Sequence, residues 1–189
     1  MKRADIVKEA RVIHVAASAL VLLAGALFIA WPGMSVAVTR WVLCSIFVAV
    51  GLARVLGYFA NDLYRLAFQY DLALGVFCVI FAVLNMLSPD NIRQFIPYAV
   101  GMYVLMDALL KVQTAFDAKS FGMRHWVGLL ISSAVLSLFG VFAMVGFTVW
   151  EPWFLMGIAL VLDGVENIWN TMGTVRIRAK KESKFEDLL

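Results

Sequence analysis

The sequence predicts an all-α fold, a polytopic membrane protein whose six transmembrane helices form three tandem helical hairpins. Hydrophobic residues make up 63% of the 189 residues and charged residues only 15%, proportions outside the range of soluble domains. Six apolar runs approach the roughly 20 residues that a helix needs to cross a bilayer. Charged residues that recur in every second run predict the repeat.

Short polar connectors separate the apolar runs and define the expected organisation of the chain. The runs cover residues 12–31, 38–60, 68–87, 95–116, 126–149 and 153–173. We therefore expect an N-terminal segment over 1–11, a membrane domain over 12–173 and a basic-then-acidic tail over 174–189. The three repeats are expected at about 12–62, 63–118 and 119–173.

The distribution of lysine and arginine predicts the orientation. Cytoplasmic segments of membrane proteins carry an excess of these residues. With both termini in the cytoplasm, twelve of the sixteen lie inside and only Arg40 and Arg93 lie outside, while Arg54 and Lys111 fall within runs. We therefore expect cytoplasmic N- and C-termini.

Runs two, four and six differ from the others because they contain charges. They carry Arg54, then Asp107 with Lys111, then Asp163 with Glu166, whereas the apolar cores of runs one, three and five are expected to carry none. Aligning these charges gives VAVGLAR (48–54), GMYVLMD (101–107) and GIALVLD (157–163). The spacing predicts a threefold internal repeat of about 55 residues.

Each repeat pairs two kinds of helix, an aliphatic one such as that ending in LFIAWPG and one of the GIALVLDGVENIW kind. In this pattern the chain resembles the HdeD-like acid-resistance membrane proteins, a short-repeat family, over roughly residues 12–173. The resemblance implies a multi-pass protein of the bacterial cytoplasmic (inner) membrane that is tied to acid or general stress tolerance. It implies no catalytic residues. Arg54 stands where the other two repeats have an acid, and Ala108 follows Asp107 where Gly164 follows Asp163, so a single shared role is not expected.

Run four shows why these charges need partners. Its nine Leu, Ile, Val and Phe residues favour insertion by about 3–5 kcal/mol, while Asp107 and Lys111 left unpaired oppose it by about 5–7 kcal/mol. The helix would insert poorly alone. Asp107 and Lys111 lie four residues apart on one helix face, in the order that favours an ion pair.

The three charged runs cross the membrane in the same direction, so their charges are expected at similar depths. Arg54, Asp107, Lys111, Asp163 and Glu166 are therefore predicted to form one intramembrane polar cluster in which two cations face three acids. Arg54 is expected to reach Asp107 from the neighbouring repeat.

Polar residues near the cytoplasmic helix ends carry weaker expectations. Glu166 lies closer to that end and is expected to be solvated. His14 and His125 are expected to be interfacial, with pH sensing as the alternative.

Run five contains small residues at helical spacing. Such residues let another backbone approach and let hydroxyl groups bond across helices, so close helix packing is the preferred interpretation and a substrate groove the alternative. These helix-packing residues are Gly128, Ser132, Ser133, Ser137 and Gly140.

The motifs of enzymes are not found in the sequence. No His, Cys and carboxylate cluster has metal-ligand spacing, and no phosphate loop or Ser, His and Asp set is placed for catalysis. We therefore expect no enzymatic activity, no cofactor and no metal. The modest net charge of +3 lies mostly near the chain ends, which disfavours nucleic acid and leaves membrane lipids as the expected partner.

Three functional hypotheses fit these features. The preferred one is a non-enzymatic membrane protein in which the polar cluster is structural. The alternative is a small proton-linked transporter or channel that uses Asp107 and Asp163, since intramembrane carboxylates often mark proton paths. The third is a scaffold that binds a membrane protein partner or a second copy of itself.

Overall fold

The fold of the protein, taken from a computed structural model, is all-α. The structure describes the backbone of residues 2–59, 71–87, 92–120, 122, 126–145 and 152–186, and the side chains of residues 12–56, 58, 71–87, 95–120, 122, 126–145 and 153–172. The helices in this part are α1 (Lys2–Ala30), α2 (Val36–Phe59), α3 (Asp71–Leu87), α4 (Ile92–Ser120), α5 (Trp126–Val145) and α6 (Pro152–Glu186).

The six helices form a closed ring. Each helix packs against the next one along the chain, α6 returns to α1, and α4 also contacts α6. The most extensive contacts join α2 to α3, α4 to α5 and α6 to α1. These pairs lie between the predicted hairpins rather than within them, so the repeats are held together mainly by their junctions.

A glycine pair lies at each of these three junctions and explains the close packing. A Cβ atom added to Gly101 would lie 2.7 Å from the carbonyl oxygen of Gly140 on α5. The corresponding distance from Gly51 to the Gly75 oxygen is 2.9 Å, and from Gly25 to the Gly157 oxygen it is 2.6 Å. Without side chains at these points, the helix backbones approach each other directly, as small residues allow in membrane helices.

The surface and the interior of the bundle have the polarity expected in lipid. Large aliphatic and aromatic side chains on all six helices point outward, while the charged side chains of Arg54, Asp71, Asp107, Asp163 and Glu166 are buried. A soluble protein shows the opposite arrangement. Outward-facing examples, one from each helix in order, are Leu23, Leu56, Leu84, Phe95, Ile131 and Val165.

Within the described residues, four helices are long and apolar enough to cross a membrane. They are the segments Val12–Ala30, Val36–Leu56, Phe95–Ser120 and Trp126–Val145, and Asp71–Leu87 is a shorter apolar helix. The protein is therefore an all-α membrane protein. Helices α3 and α6 remain predicted spans, since α3 has 17 residues and α6 combines an apolar start with buried acids and a charged end.

Candidate functional site

Side chains from all six helices meet in one buried set of polar contacts, which we call the charge network. It contains the five residues of the predicted polar cluster and brings them together with partners from the remaining helices. Its members are His14 (α1), Arg54 (α2), Asp71 (α3), Tyr103, Asp107 and Lys111 (α4), Ser132 and Ser133 (α5), and Asp163, Glu166 and Asn167 (α6).

Arg54 joins helices α2, α3 and α4 through one guanidinium group. Its Nη1 donates to Asp71 Oδ1 at 2.7 Å, and its Nη2 donates to Asp107 Oδ1 at 2.8 Å. The Tyr103 hydroxyl lies 3.5 Å from Nη2 and donates to Asp163 Oδ2 at 3.3 Å. Two short charge-assisted bonds from a planar group fix both distance and angle between helices.

Lys111 is the second cation of the charge network and contacts three carboxylates. Its Nζ lies 2.5 Å from Asp107 Oδ2 on the same helix, 3.2 Å from Glu166 Oε2 and 3.5 Å from Asp163 Oδ1. The contact with Asp107 is the predicted pairing of residues four apart. The other two connect α4 to α6.

Glu166 is buried, so the expectation that it is solvated is wrong. It is 7% exposed, and its Oε1 accepts hydrogen bonds from Ser132 Oγ at 2.6 Å and Ser133 Oγ at 3.4 Å. Hydroxyl donors on α5 therefore stabilise a carboxylate on α6, because the small serine side chains let the two helices pack at this level.

The charge network has two titratable members on helices where the sequence predicted no charge. Asp71, the first residue of α3, is buried and paired with Arg54, so the prediction that run three lacks a charge is wrong. His14 on α1 faces into the bundle with its Nδ1 3.8 Å from Asp71 Oδ2, and its interfacial depth stays a prediction. His125 lies outside the described residues.

The small residues of α5 divide between two roles. Gly140 packs against the backbone of α4, whereas Gly128 is exposed and no atom of the described residues lies within 4 Å of an added Cβ, so its role in helix packing stays a prediction. Ser132 donates across to Glu166 of α6, whereas Ser133 reaches Glu166 only at 3.4 Å and donates at 2.6 Å to the Leu129 carbonyl of its own helix. The Ser137 hydroxyl likewise donates within α5, to the Ser133 carbonyl. Ser137 therefore forms no bond between helices.

Charges do not balance in the described part of the charge network. Two cations, Arg54 and Lys111, meet the four carboxylates of Asp71, Asp107, Asp163 and Glu166, a formal charge of −2 while His14 is neutral. The sequence prediction of three acids omitted Asp71. An uncompensated negative charge away from water is costly, so this excess makes the site a candidate for binding protons.

Two segments of the chain match the protein family described as a short repeat of unknown function (DUF308), at residues 16–87 and 73–145. The matches span residues 16–145, well over half of the chain. The chain belongs to this family. The two DUF308 segments begin at residues 16 and 73, a spacing of 57 that agrees with the predicted period and supports an internal repeat, while the third repeat stays a prediction. Neither a curated protein nor a solved structure matches the chain.

The DUF308 segments also agree with the ring of helices. The first covers most of α1 and all of α2 and α3, and the second covers most of α3 and all of α4 and α5. Each segment therefore contains one of the glycine junctions, α2 with α3 or α4 with α5. The α6–α1 junction joins the ends of the bundle and completes the series.

Proposed function

We propose that this protein is a non-enzymatic, multi-pass protein of the bacterial cytoplasmic membrane that contributes to acid or general stress tolerance. The observation that carries the proposal is the charge network, which ties all six helices to one set of protonatable groups. The resemblance to the HdeD-like proteins supports the link to acid. In this proposal the network is first of all structural.

The structural role follows from the cost of charge in lipid. Each ionised side chain near a helix centre opposes insertion by roughly 2.5–3.5 kcal/mol unless it finds a partner. In the charge network the partner is usually on another helix, as for Arg54 with Asp107 and Lys111 with Glu166. Assembly of the bundle therefore satisfies the charges, and the charges in turn select one arrangement of the six helices.

Acid survival tests the proposed physiological role. We expect cells that lack the protein to survive acid exposure less well than the parent, and the wild-type chain to restore survival. An Arg54→Met variant that fails to assemble should not restore it, whereas the matched control Arg40→Met, which changes an arginine outside the charge network, should. Equal survival with and without the protein, in acid and in other stresses, would reject the role.

Reporter fusions test the proposed orientation. The lysine and arginine distribution places both termini in the cytoplasm, so a reporter that is active only in the cytoplasm should be active when fused after Leu189. The same reporter placed in the 88–93 connector should be inactive. The reverse pattern would contradict the orientation.

Proton transport is the second candidate function, and the excess of carboxylates over cations favours it. Purified protein in liposomes under an imposed pH gradient distinguishes the two. The structural proposal expects no more leak than in empty liposomes, whereas transport requires a proton flux that Asp107→Asn abolishes. A scaffold role would instead give a co-purifying membrane protein, or a second copy of the chain, whether or not the aspartates are changed.

A further inference from the structure

We propose that the charge network is a binding site for an exchangeable proton and that Asp163 is the residue that holds it. This inference goes beyond a role in stress tolerance and does not require transport, because a proton can be bound without being conducted. The observation behind the proposal is the unequal distribution of hydrogen-bond donors and cations among the four carboxylates of the charge network.

Asp107 and Asp163 are both deeply buried but are bonded very differently. Asp107 is contacted by Lys111 Nζ at 2.5 Å, Arg54 Nη2 at 2.8 Å and Asn167 Nδ2 at 3.2 Å. Among the described residues, Asp163 is contacted only by the Tyr103 hydroxyl at 3.3 Å and by Lys111 Nζ at 3.5 Å. Both of its contacts are long for hydrogen bonds to a carboxylate.

The single ammonium group of Lys111 cannot neutralise all the carboxylates around it. It is shared by Asp107, Glu166 and Asp163, in order of increasing distance. Arg54 is already shared by Asp71 and Asp107. Asp163 is therefore the carboxylate with the weakest compensation, and with 0% exposure it has no access to bulk water either.

The elements packed against α6 bring no further cation to Asp163 within the described residues. On α1, Ser18 and Leu22 lie against Gly164, and His14 contacts Asp71 instead. The α5 serines donate to Glu166. The groups that face Asp163 are thus Tyr103, Asp107 and Lys111 of α4, with Arg54 of α2 behind Tyr103 and with Glu166 and Asn167 on α6 itself.

A proton on Asp163 removes the poorly compensated negative charge without any rearrangement of the surrounding side chains. Asp107 and Asp163 meet at the same Lys111 ammonium group, so a proton taken up onto the Asp163 carboxyl makes that carboxyl a hydrogen-bond donor beside the Asp107 carboxylate. Two carboxyl groups that share a site keep one proton between them. The formal charge of the described network then changes from −2 to −1.

Infrared spectroscopy of the full chain in lipid tests this proposal, because a protonated carboxylic acid has a C=O stretch separate from that of a carboxylate. At about pH 7 exposed carboxyl groups are ionised. We expect a carboxylic acid band in the wild type that is lost in Asp163→Asn and retained in the control Asp117→Asn, which removes a carboxyl group of α4 outside the charge network. An absent band in the wild type, or a band that persists in Asp163→Asn, would overturn the proposal.

Thermal unfolding supplies an independent check on the same variants. Asparagine closely replaces a neutral aspartic acid, so Asp163→Asn should change Tm by less than about 4 °C, while Asp107→Asn should lower it by more than about 8 °C. Failure of Asp163→Asn to fold, or an equal loss in both variants, would show that Asp163 is ionised and would reject the proposal. Proton flux across liposome membranes is measured separately. A proton that is bound but not transported can therefore be distinguished both from transport and from an ionised Asp163.

Discussion

The interior of the bundle has two parts that treat buried polar groups differently. Around the charge network, Asn167 is 5% exposed and donates to Asp107 at 3.2 Å. Near the start of α2 and the end of α3, Thr39 and Asn85 are 1% and 2% exposed, and their side-chain polar atoms have no hydrogen-bond partner in the described structure. Every charged side chain of the charge network has an oppositely charged partner, although Asp71 Oδ2 accepts no hydrogen bond among the described residues, whereas the polar atoms of Thr39 and Asn85 are tolerated singly.

This difference follows from the size of the penalties. An unpartnered amide or hydroxyl in an apolar interior costs roughly 1–3 kcal/mol by mutational data, whereas an unpaired buried ion costs more. The bundle tolerates the Asn85 side chain without a hydrogen-bond partner at a moderate loss of stability. It could not tolerate the Asp107 carboxylate without a partner. We therefore expect substitutions in the charge network to lower stability strongly. Substitutions of Thr39 or Asn85 should change stability little and can even raise it.

Removing Arg54 should have the largest effect. In Arg54→Met, Asp71 and Asp107 lose the cation that lies 2.7 and 2.8 Å away, and leaving a buried ion without its partner costs about 3–5 kcal/mol. Thermal unfolding in detergent or nanodiscs measures the loss. Arg40→Met is the control and should lower stability far less. Equal losses of stability in Arg54→Met and Arg40→Met would mean that the charge network stabilises the bundle no more than an arginine outside it does.

Filling a glycine junction should have an intermediate effect. A Cβ on Gly101 would lie 2.7 Å from a backbone oxygen of α5, so Gly101→Ala must push two helices apart and should cost about 1–3 kcal/mol. Gly128→Ala is the matched control on an open helix surface, where alanine favours the helix by up to about 1 kcal/mol. Stabilisation by Gly101→Ala would contradict the close junction.

The two buried asparagines should give the smallest effects, with opposite signs. Asn167→Leu removes a donor to Asp107 and should lower the free energy of unfolding by about 1–2 kcal/mol. Asn85→Leu removes an unsatisfied amide and should raise it by about 1 kcal/mol. Chemical or thermal unfolding of both variants in one lipid checks the signs. A loss from Asn85→Leu would indicate that this amide has a partner.

The sequence predicts the centre of the charge network better than its edges. Arg54, Asp107 and Asp163 stand out because an ionised residue inside a long apolar run must be paired to be tolerated. Asp71 and His14 lie at the ends of their runs next to polar connectors, where a charge is ordinarily solvated and gives no signal. Only the packing of α3 and α1 against α2 and α6 places them inside.

The sequence also does not predict which helices pack against each other. Gly140 is visible as a packing residue because small side chains recur along α5, but the spacing does not tell which helix it meets or that Gly128 faces outward. The apolar runs predict six helices and their bounds to within a turn or two at most ends. Their order around the ring depends on contacts far apart in the chain, such as Gly25 with Gly157.

A double-mutant cycle between Arg54 and Asp107 tests most directly whether buried charges hold the helices together. Unfolding is measured in one lipid for wild type, Arg54→Glu, Asp107→Arg and the double variant. We expect each single variant to be strongly destabilised and the double to recover part of the loss, with a coupling of roughly 1–3 kcal/mol. Losses that simply add would contradict the pairing, and with it the account of the bundle.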